Sequence, residues 1–589
     1  MDQKRLFAAI ALSIGILLIF DTWNRANQPP PDPPAAAAQR PDAPAPAVAA
    51  APGASPMQAE AQATALRRPA PRARFETPLM AGSINLRGAR IDDLVLTTYR
   101  ETLAPDSPSV RIFSPRDGQN PYFAQWGWTS ADGRTLVPDG DTEWTAVTVG
   151  RLVPERPMTL RWDNGQGQIF EIIFSVDSQY MVTAEQRVRN GGGEAISVLP
   201  WVRIRREYTP PTAGFFILHE GFTGVLSGRL QEVTFSDARS EGARRAGTAL
   251  EQETMGGWAG ITDKYWLAAV MPVAPDQTLR TAYRHVNEGG GTAGDRWQVD
   301  MAAPEPLLVA PGATGTLGTR MFAGAKEVNL LNDYMARYGI AGFDKAIDFG
   351  WFYFLVKPFF LVLHWLAGLT GNFGVAILLL TVAIKAAFFP LANKAYQSMA
   401  KMKILAPKMQ EIKERYKDDP QKAQQEMMAL YRSEKVNPAS GCLPILIQIP
   451  VFFALYKTLF VTIEMRHQPF FGWIQDLSAP DPTNLFNLFG LLPFDPMELS
   501  PFLHMPAWAL IMGVTMWVQM RLNPTPPDPI QAKVFAWMPV IFTFMLASFP
   551  AGLIIYWAWN NTLSVAQQYY IMRHERAAAK AAKAPGNPK

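Results

Sequence analysis

The sequence predicts a multi-span α-helical membrane protein with an inserted all-β sandwich domain: six transmembrane helices, five of them forming a C-terminal core. Three observations predict it. Apolar residues concentrate at positions 6–20 and again from 351 to 571, although hydropathy averaged over all 589 residues is near zero. Between them lie about 250 residues of short alternating segments, rich in Val, Ile, Thr and aromatics and cut by Gly, Pro, Asn and Asp. The Lys and Arg residues cluster in alternate connections, as the positive-inside rule requires of six spans. A net charge of +4 is small for this length and lends little support to a nucleic-acid partner. With Cys442 as the one cysteine no intrachain disulfide forms, so the soluble domain is held by its core alone.

Residues 1–27 read as an N-terminal signal-anchor helix. Lys4 and Arg5 precede the apolar run, which ends in Phe20-Asp21-Thr22-Trp23 and not in the small residues of a cleavage site. The run therefore stays attached, N-terminus inside, and exports the chain on its C-terminal side. Residues 28–74 are Pro- and Ala-rich with almost no aromatics, too little apolar surface to offset the entropy of ordering, and read as a disordered linker. Residues 75–325 form the β domain. Runs at 91–99, 168–176, 180–188, 196–204 and 297–301 alternate, and Asn190-Gly191-Gly192-Gly193 marks a turn. The texture is that of one large sandwich. Its histidines are His219 and His285, without HExxH, GxSxG or clustered metal ligands, so no hydrolase or metal signature is present. Its aromatics either fill the core or stack on a sugar.

Residues 326–370 connect this domain to the core. Val328, Leu331, Tyr334 and Tyr338 share one helix face. The segment 351–369 is rich in Trp and Phe and long enough to span. A span there would leave the Lys-rich segment after Pro390 outside, so it is placed in the outer interface as an amphipathic helix. Residues 371–390, about 20 residues or roughly 30 Å of helix, then cross alone. Lys385 sits inside this apolar run, with Thr381 four residues earlier on the same face. A lysine at the centre of a span costs about 2.5–3.5 kcal/mol. It either snorkels past Pro390 or faces a wet groove.

The basic segment 391–441 has a pattern of its own. Met402, Leu405, Met409, Ile412 and Tyr416 follow a coiled-coil seam, Asp418-Asp419-Pro420 breaks it, and Ala423, Met427 and Leu430 resume it. Two antiparallel cytoplasmic helices result. They are either a solvated hairpin with a private seam or a docking arm contacting partners through Met402, Met409, Lys413, Met427 and Met428. Further spans are predicted at 443–463, 507–520, 534–549 and 553–571, with an outer loop at 464–506, so the core covers 371–572. Two of them, about 14–16 residues or roughly 21–24 Å long, suit a thinned bilayer. The basic tail, 573–589, lies inside. Thr381, Lys385, Gln448, Thr515, Gln519, Thr543 and Asn560 distribute polar groups over several helices. Each Thr or Gln alone serves as interhelical glue; the set together with a lysine supports a hydrated cavity.

Three function classes compete for these features. A protein-handling membrane machine uses a polar groove, short helices and a Met-bearing hairpin. A small-solute transporter predicts acidic residues at the midplane, and the five C-terminal spans hold no Asp or Glu. An anchored sugar-binding or sugar-modifying β domain needs one span and leaves the polar bundle unexplained.

Three runs narrow the choice: PLANKAYQSMAKMKILAPKMQEI from Pro390, QEMMALYRSEKVNPASGCLPILIQIPVFFALY from Gln425 and MPVIFTFMLASFPAGLIIYWAWNN from Met538. They resemble the YidC family of membrane protein insertases over residues 348–573, and the anchor with a large exported domain resembles its Gram-negative form. The resemblance implies a periplasmic β-supersandwich and a multi-pass protein of the bacterial inner membrane with both termini cytoplasmic. It implies no enzymatic activity, no cofactor and no metal. The implied partners are nascent inner-membrane proteins, the lipid bilayer, the Sec translocon, and ribosomes or targeting factors received by the hairpin and tail. The implied client-binding groove is open to cytoplasm and lipid and is lined by Lys385, Thr381, Gln448, Gln519 and Asn560, with Tyr556 and Trp557 where relatives present client-contacting aromatics. Lys385 stands where the family usually has Arg; it keeps the charge and loses the planar fork of donors.

Overall fold

The computed structural model of this chain describes residues 70–212, 218–287, 294–350, 353–417, 419–434, 443–500, 503–523 and 529–583. The predicted anchor, most of the predicted linker and Cys442 lie outside the described residues.

The soluble domain packs two antiparallel sheets, one of ten strands and one of nine, face to face. Period-two burial makes them. Strand Ile196–Arg206 buries every second residue, as does Gln168–Val176, so each presents one apolar face to the partner sheet. Trp126 Nε1 donates to Thr319 Oγ1 across the sandwich at 3.0 Å, and Gln186 Nε2 donates to the Gly127 carbonyl at 2.8 Å, satisfying polar atoms that the core would otherwise strand. The first strand, Arg72–Glu76, begins inside the stretch whose composition reads as linker; it alternates exposed and buried, with Phe75 in the core. The all-β expectation also misses one helix, α1 (Phe235–Arg244). Its cap is Thr234, whose Oγ1 accepts from the Asp237 N–H at 3.1 Å. His285 is structural: its Nε2 meets Asp295 Oδ1 at 2.7 Å, and its ring packs on Trp297.

Helix α2 (Val328–Tyr338) closes the domain and stops at Gly339, which takes the left-handed conformation of a helix C-terminus. Tyr334 anchors it, donating to Asp177 Oδ2 at 2.7 Å and accepting from the Tyr180 N–H. Helix α3 (Tyr353–Thr370) has 18 residues of mean hydropathy 1.4 and is the one described helix that by itself is long and apolar enough to cross a membrane. The sequence expects α3 in the interface and the span at 371–390, where the next helix and its bent continuation are together long and apolar enough to cross. That second helix, α4 (Phe373–Ala387), has 15 residues, about 22 Å. It breaks at Phe388 and bends by 70° into α5 (Phe389–Arg415). Pro390 is the cause: it lacks an N–H and excludes the preceding turn, so one helix ends and another starts with proline in its first turn.

There follow α6 (Pro420–Ser433), α7 (Leu443–Val461), α8 (Ala507–Leu522), α9 (Pro529–Leu546) and α10 (Ala551–Lys583). Helix α10 runs 33 residues, past the predicted end of its span, because the tail after Ile571 is rich in Ala, Lys and Arg, all strong helix formers. The loop before α8 caps it twice, Asp481 Oδ2 accepting from the Trp508 N–H at 3.0 Å and Thr483 Oγ1 from the Ala507 N–H at 2.9 Å.

The β domain is seated on the ends of α3 and α7. Val356, Phe360 and Ala454 share one buried apolar cluster with the sandwich core. Asp344 accepts from Tyr353 Oη and Lys357 Nζ, each at 2.6 Å. Beside this joint lies Glu464, in the single turn Ile463–Met465, with Oε2 buried and unpartnered. Burial, then the charge of Glu327, pushes its carboxyl from 4.5 to about 7, against the pull of the backbone N–H groups of Glu464 and Val328. The folded state thus binds a proton that the unfolded state releases between those values. Its contribution to stability is full below about pH 4.5 and lost as pH rises through about 7. Glu464→Gln is expected to remove this slope and to stabilise the joint at pH 8 by on the order of 1–3 kcal/mol. Hydrogen exchange of the segment around Glu464 at pH 5 and pH 8 measures it; equal slopes in both proteins would refute it.

Candidate functional site

Two of the lysines in the apolar helices, Lys457 and Lys385, are treated differently. Lys457, in α7, interrupts an apolar run as Lys385 does but is not singled out by the sequence. Its Nζ sits 2.6 Å from Asp348 Oδ2, and Asp348 also accepts the His219 N–H at 2.8 Å, so that charge is neutralised at the joint. Lys385, in α4, points its Nζ at α10 and donates to Ser564 Oγ at 2.8 Å. It does not turn back toward Pro390. An ammonium has three donors, and Ser564 takes one. Among the described residues no carboxylate pairs with Lys385.

The polar line around it is built by α10. Asn560, Ser564 and Gln568 are four residues apart, hence on one face, and all three are buried. Ser564 Oγ donates to the Asn560 carbonyl at 2.8 Å. Tyr396 of α5 lies beside Ser564 and Gln568. Gln568 Nε2 donates to Asn523 Oδ1 at 3.2 Å, just past α8, and Asn561 Nδ2 reaches Thr515 Oγ1 at 3.4 Å. Helices α8 and α9 cross closely because Gly513 carries no side chain; a Cβ there would collide with Thr543 Oγ1. Four helices therefore converge on a cluster of hydroxyls and amides with one uncompensated positive charge. Such a cluster attracts a carboxylate and offers no nucleophile–base pair. Among the described residues no group of His, Cys, Asp and Glu could hold a metal ion.

The predicted residues are not all gathered there. Lys385 and Asn560 are linked through Ser564. Thr381, one turn before Lys385, is 2% exposed and donates to the Ile377 carbonyl at 2.7 Å, so its hydroxyl is used within α4. Gln519 is half-buried on α8, one turn beyond Thr515. The side chain of Gln448 lies outside the described residues. Tyr556 is 2% exposed and packs in the apolar core, where the first turns of α10 are buried on all sides. Trp557 is half-buried between Phe452, at 4.7 Å between ring centres, and Phe542. Ser564 and Tyr396 were missed. Four-residue spacing from Asn560 could have found Ser564; Tyr396 carried no signal within a basic hairpin.

In the hairpin Leu405 and Ala423 are buried, and Met402, Met409, Ile412, Tyr416, Met427 and Leu430 are half-buried along the seam of α5 and α6. Tyr431 Oη touches Met409 Sδ and Lys408 pairs with Glu434. Met402, Met409 and Met427 are thus engaged within the hairpin, whereas Lys413 and Met428 stand on its outside. Lys403 Nζ donates to the carbonyls of Arg521 and Leu522, fixing α5 to the C-terminus of α8, where a cation is favoured.

Comparison with known proteins covers nearly the whole chain. A family model described as 60Kd inner membrane protein matches residues 365–579, and one described as YidC periplasmic domain matches residues 72–362. A protein of Granulibacter bethesdensis named Membrane protein insertase YidC is 52% identical over 578 residues, 98% of each chain. One of the same name from Acidiphilium cryptum is 51% identical over 518 residues, 87% of this chain and 86% of that one. The solved structure titled "Active YidC insertase crystal structure with the first transmembrane domain resolved" aligns over 85% of this chain and 93% of its own, at 19% identity and a TM-score of 0.36.

Proposed function

This chain belongs to the YidC family of membrane protein insertases, and on that footing we propose that Lys385 is the charge that draws a client's acidic tail into the helix bundle. The protein is an inner-membrane insertase and not an enzyme; its substrates are nascent membrane proteins, its medium is the bilayer, and its β domain is periplasmic. The observation that carries the proposal is the contrast between the lysines. Lys457 is matched by a carboxylate of its own chain, whereas Lys385, among the described residues, meets a hydroxyl and no carboxylate.

In this reading a hydrophilic groove, open to cytoplasm and lipid, is bounded by Lys385, Thr381, Gln448, Gln519 and Asn560, with Trp557 at its apolar edge. The client's polar tail is attracted by Lys385 while its apolar segment slides into lipid. The driving force is burial of that segment, about 25 cal/mol per Å². A 15-residue α4 favours a locally thinned bilayer, which shortens the polar tail's path. Six spans are proposed: the anchor, α4, α7, α8, α9 and α10, both termini cytoplasmic. Helix α3 lies at the outer interface, supported by its exposed Phe354 and Trp365 and by the β domain seated on it. Insertion proceeds alone or with the Sec translocon. Lys413, Met428 and the basic tail receive ribosomes or targeting factors.

A photo-crosslinker at Gln519 is expected to capture a stalled single-span client, while one at Val514, 61% exposed on the opposite side of α8, captures lipid. Capture at Val514 with silence at Gln519 would sink the groove.

A further inference from the structure

The outer face of the ten-stranded sheet holds a basic pocket. Strand Ile196–Arg206 sends Val202 and Ile204 into the core, and alternation therefore turns Trp201, Arg203 and Arg205 outward. Register then sets their neighbours. Trp201 lies opposite Gly127, Arg203 opposite Gln125 and Arg205 opposite Phe123, while Arg90 on the next strand is opposite Gln125. Gly127 leaves room for the Trp201 indole, which lies across it; a Cβ there would collide with the ring. Between these side chains and Arg116 is a cavity of about 190 Å³ whose lining contains four arginines and one carboxylate, Glu207.

The charges do not balance. Glu207 pairs with Arg116 at 3.3 Å and Arg205 at 2.9 Å, and Arg203 leans on Asp300 at 3.2 Å, outside the pocket. Arg90 is left over. It is 7% exposed, donates one bond to the Gly140 carbonyl at 3.3 Å, and keeps Nε buried without a partner. Asp92, Asp141 and Glu207 act on it through space without a direct ion pair among the described residues, burial outweighs their pull, and stacking on Phe123 at 5.7 Å adds little. Arginine forks match phosphate and carboxylate oxygens. The volume lies below the roughly 300–1,000 Å³ of pockets that enclose a whole small ligand, so it suits one anionic group. We propose that this pocket of the periplasmic domain binds an oxyanion, a phosphate or carboxylate carried by a periplasmic solute or a lipid headgroup.

The test titrates inorganic phosphate into the full chain in phosphatidylcholine nanodiscs, followed by ³¹P line broadening. Saturable binding with a dissociation constant of about 1 mM or tighter is expected. It should weaken about tenfold or more in Arg203→Gln with Arg116→Gln, two partly exposed positions whose loss leaves the sheet core intact, as circular dichroism would verify. Arg187→Gln, paired with Glu185 on the other sheet, should bind as the parent does. Displacement by acetate would extend the site to carboxylates. Loss of phosphate binding in discs containing phosphatidylglycerol would identify a lipid headgroup as the occupant, and persistence a soluble one. Unsaturable broadening, or binding equal in the double variant and the parent, overturns the proposal.

Discussion

Lys385→Glu is expected to abolish insertion of a client whose translocated tail carries acidic residues, while Lys385→Arg keeps it and Lys385→Ala lowers it about tenfold or more. The size follows from the surroundings. At 4 Å and an effective dielectric of 20 a charge pair interacts by about 4 kcal/mol, and recovering even a third of that after desolvation is a factor of about ten. Lys385 is half-buried against α10, so salt screens it less than a surface charge. Arginine preserves the attraction and adds a fork of donors. Glutamate reverses the sign and places a second acceptor beside Ser564 Oγ. The measurement is protease protection of the inserted client in proteoliposomes, repeated with the tail's Asp and Glu changed to Asn and Gln. The neutral tail should insert equally well with lysine or alanine at 385. Equal insertion of the acidic tail by Lys385→Ala and the parent would end the proposal, and a deficit shared by both tails would point to damage of the bundle instead.

Where local pattern governs, the sequence was transparent. Strands at Gln168–Val176 and Ile196–Arg206 fall on the alternating runs, and α6 starts at Asp419-Pro420 as the breaking residues require, because alternation, turn residues and proline act within a few positions. What tertiary placement decides was opaque. Lys457 is a charge in an apolar run; its partner Asp348 lies 109 positions away in the connecting segment and is brought to it only by the tertiary fold. Tyr556 and Trp557 look alike in sequence, yet one is sealed in the core and the other lies at an edge. The length of α4 was legible in principle, since Pro390 sits at the end of the apolar run. Hydropathy counted the residues up to that proline, whereas the helix had to stop before it. Of the polar line, Asn560 and Lys385 could be chosen by type and position, but Ser564, which joins them, is as common on a helix surface as inside one.

The two lysines should also respond oppositely when their charge is removed without loss of volume. Lys457→Met leaves Asp348 buried beside its backbone donor, with side-chain exposure of 14%, and breaking such a pair from one side costs about 3–5 kcal/mol. Peptides around Asp348 and the end of α7 should then exchange hydrogen roughly 100- to 1,000-fold faster wherever opening of the joint is the exchange route. Adding Asp348→Leu should restore most of the protection, because the uncompensated charge and not the missing bond is the larger part of the loss. Lys385→Met removes a charge that no carboxylate answers among the described residues, so the bundle should be as stable as the parent or more so while insertion of acidic-tailed clients falls. If Lys385→Met instead loosens the bundle as Lys457→Met loosens the joint, the Ser564 contact is structural and the charge is not reserved for clients. A stability cost at 457 with none at 385 would mark the second lysine as retained for function at the expense of the fold.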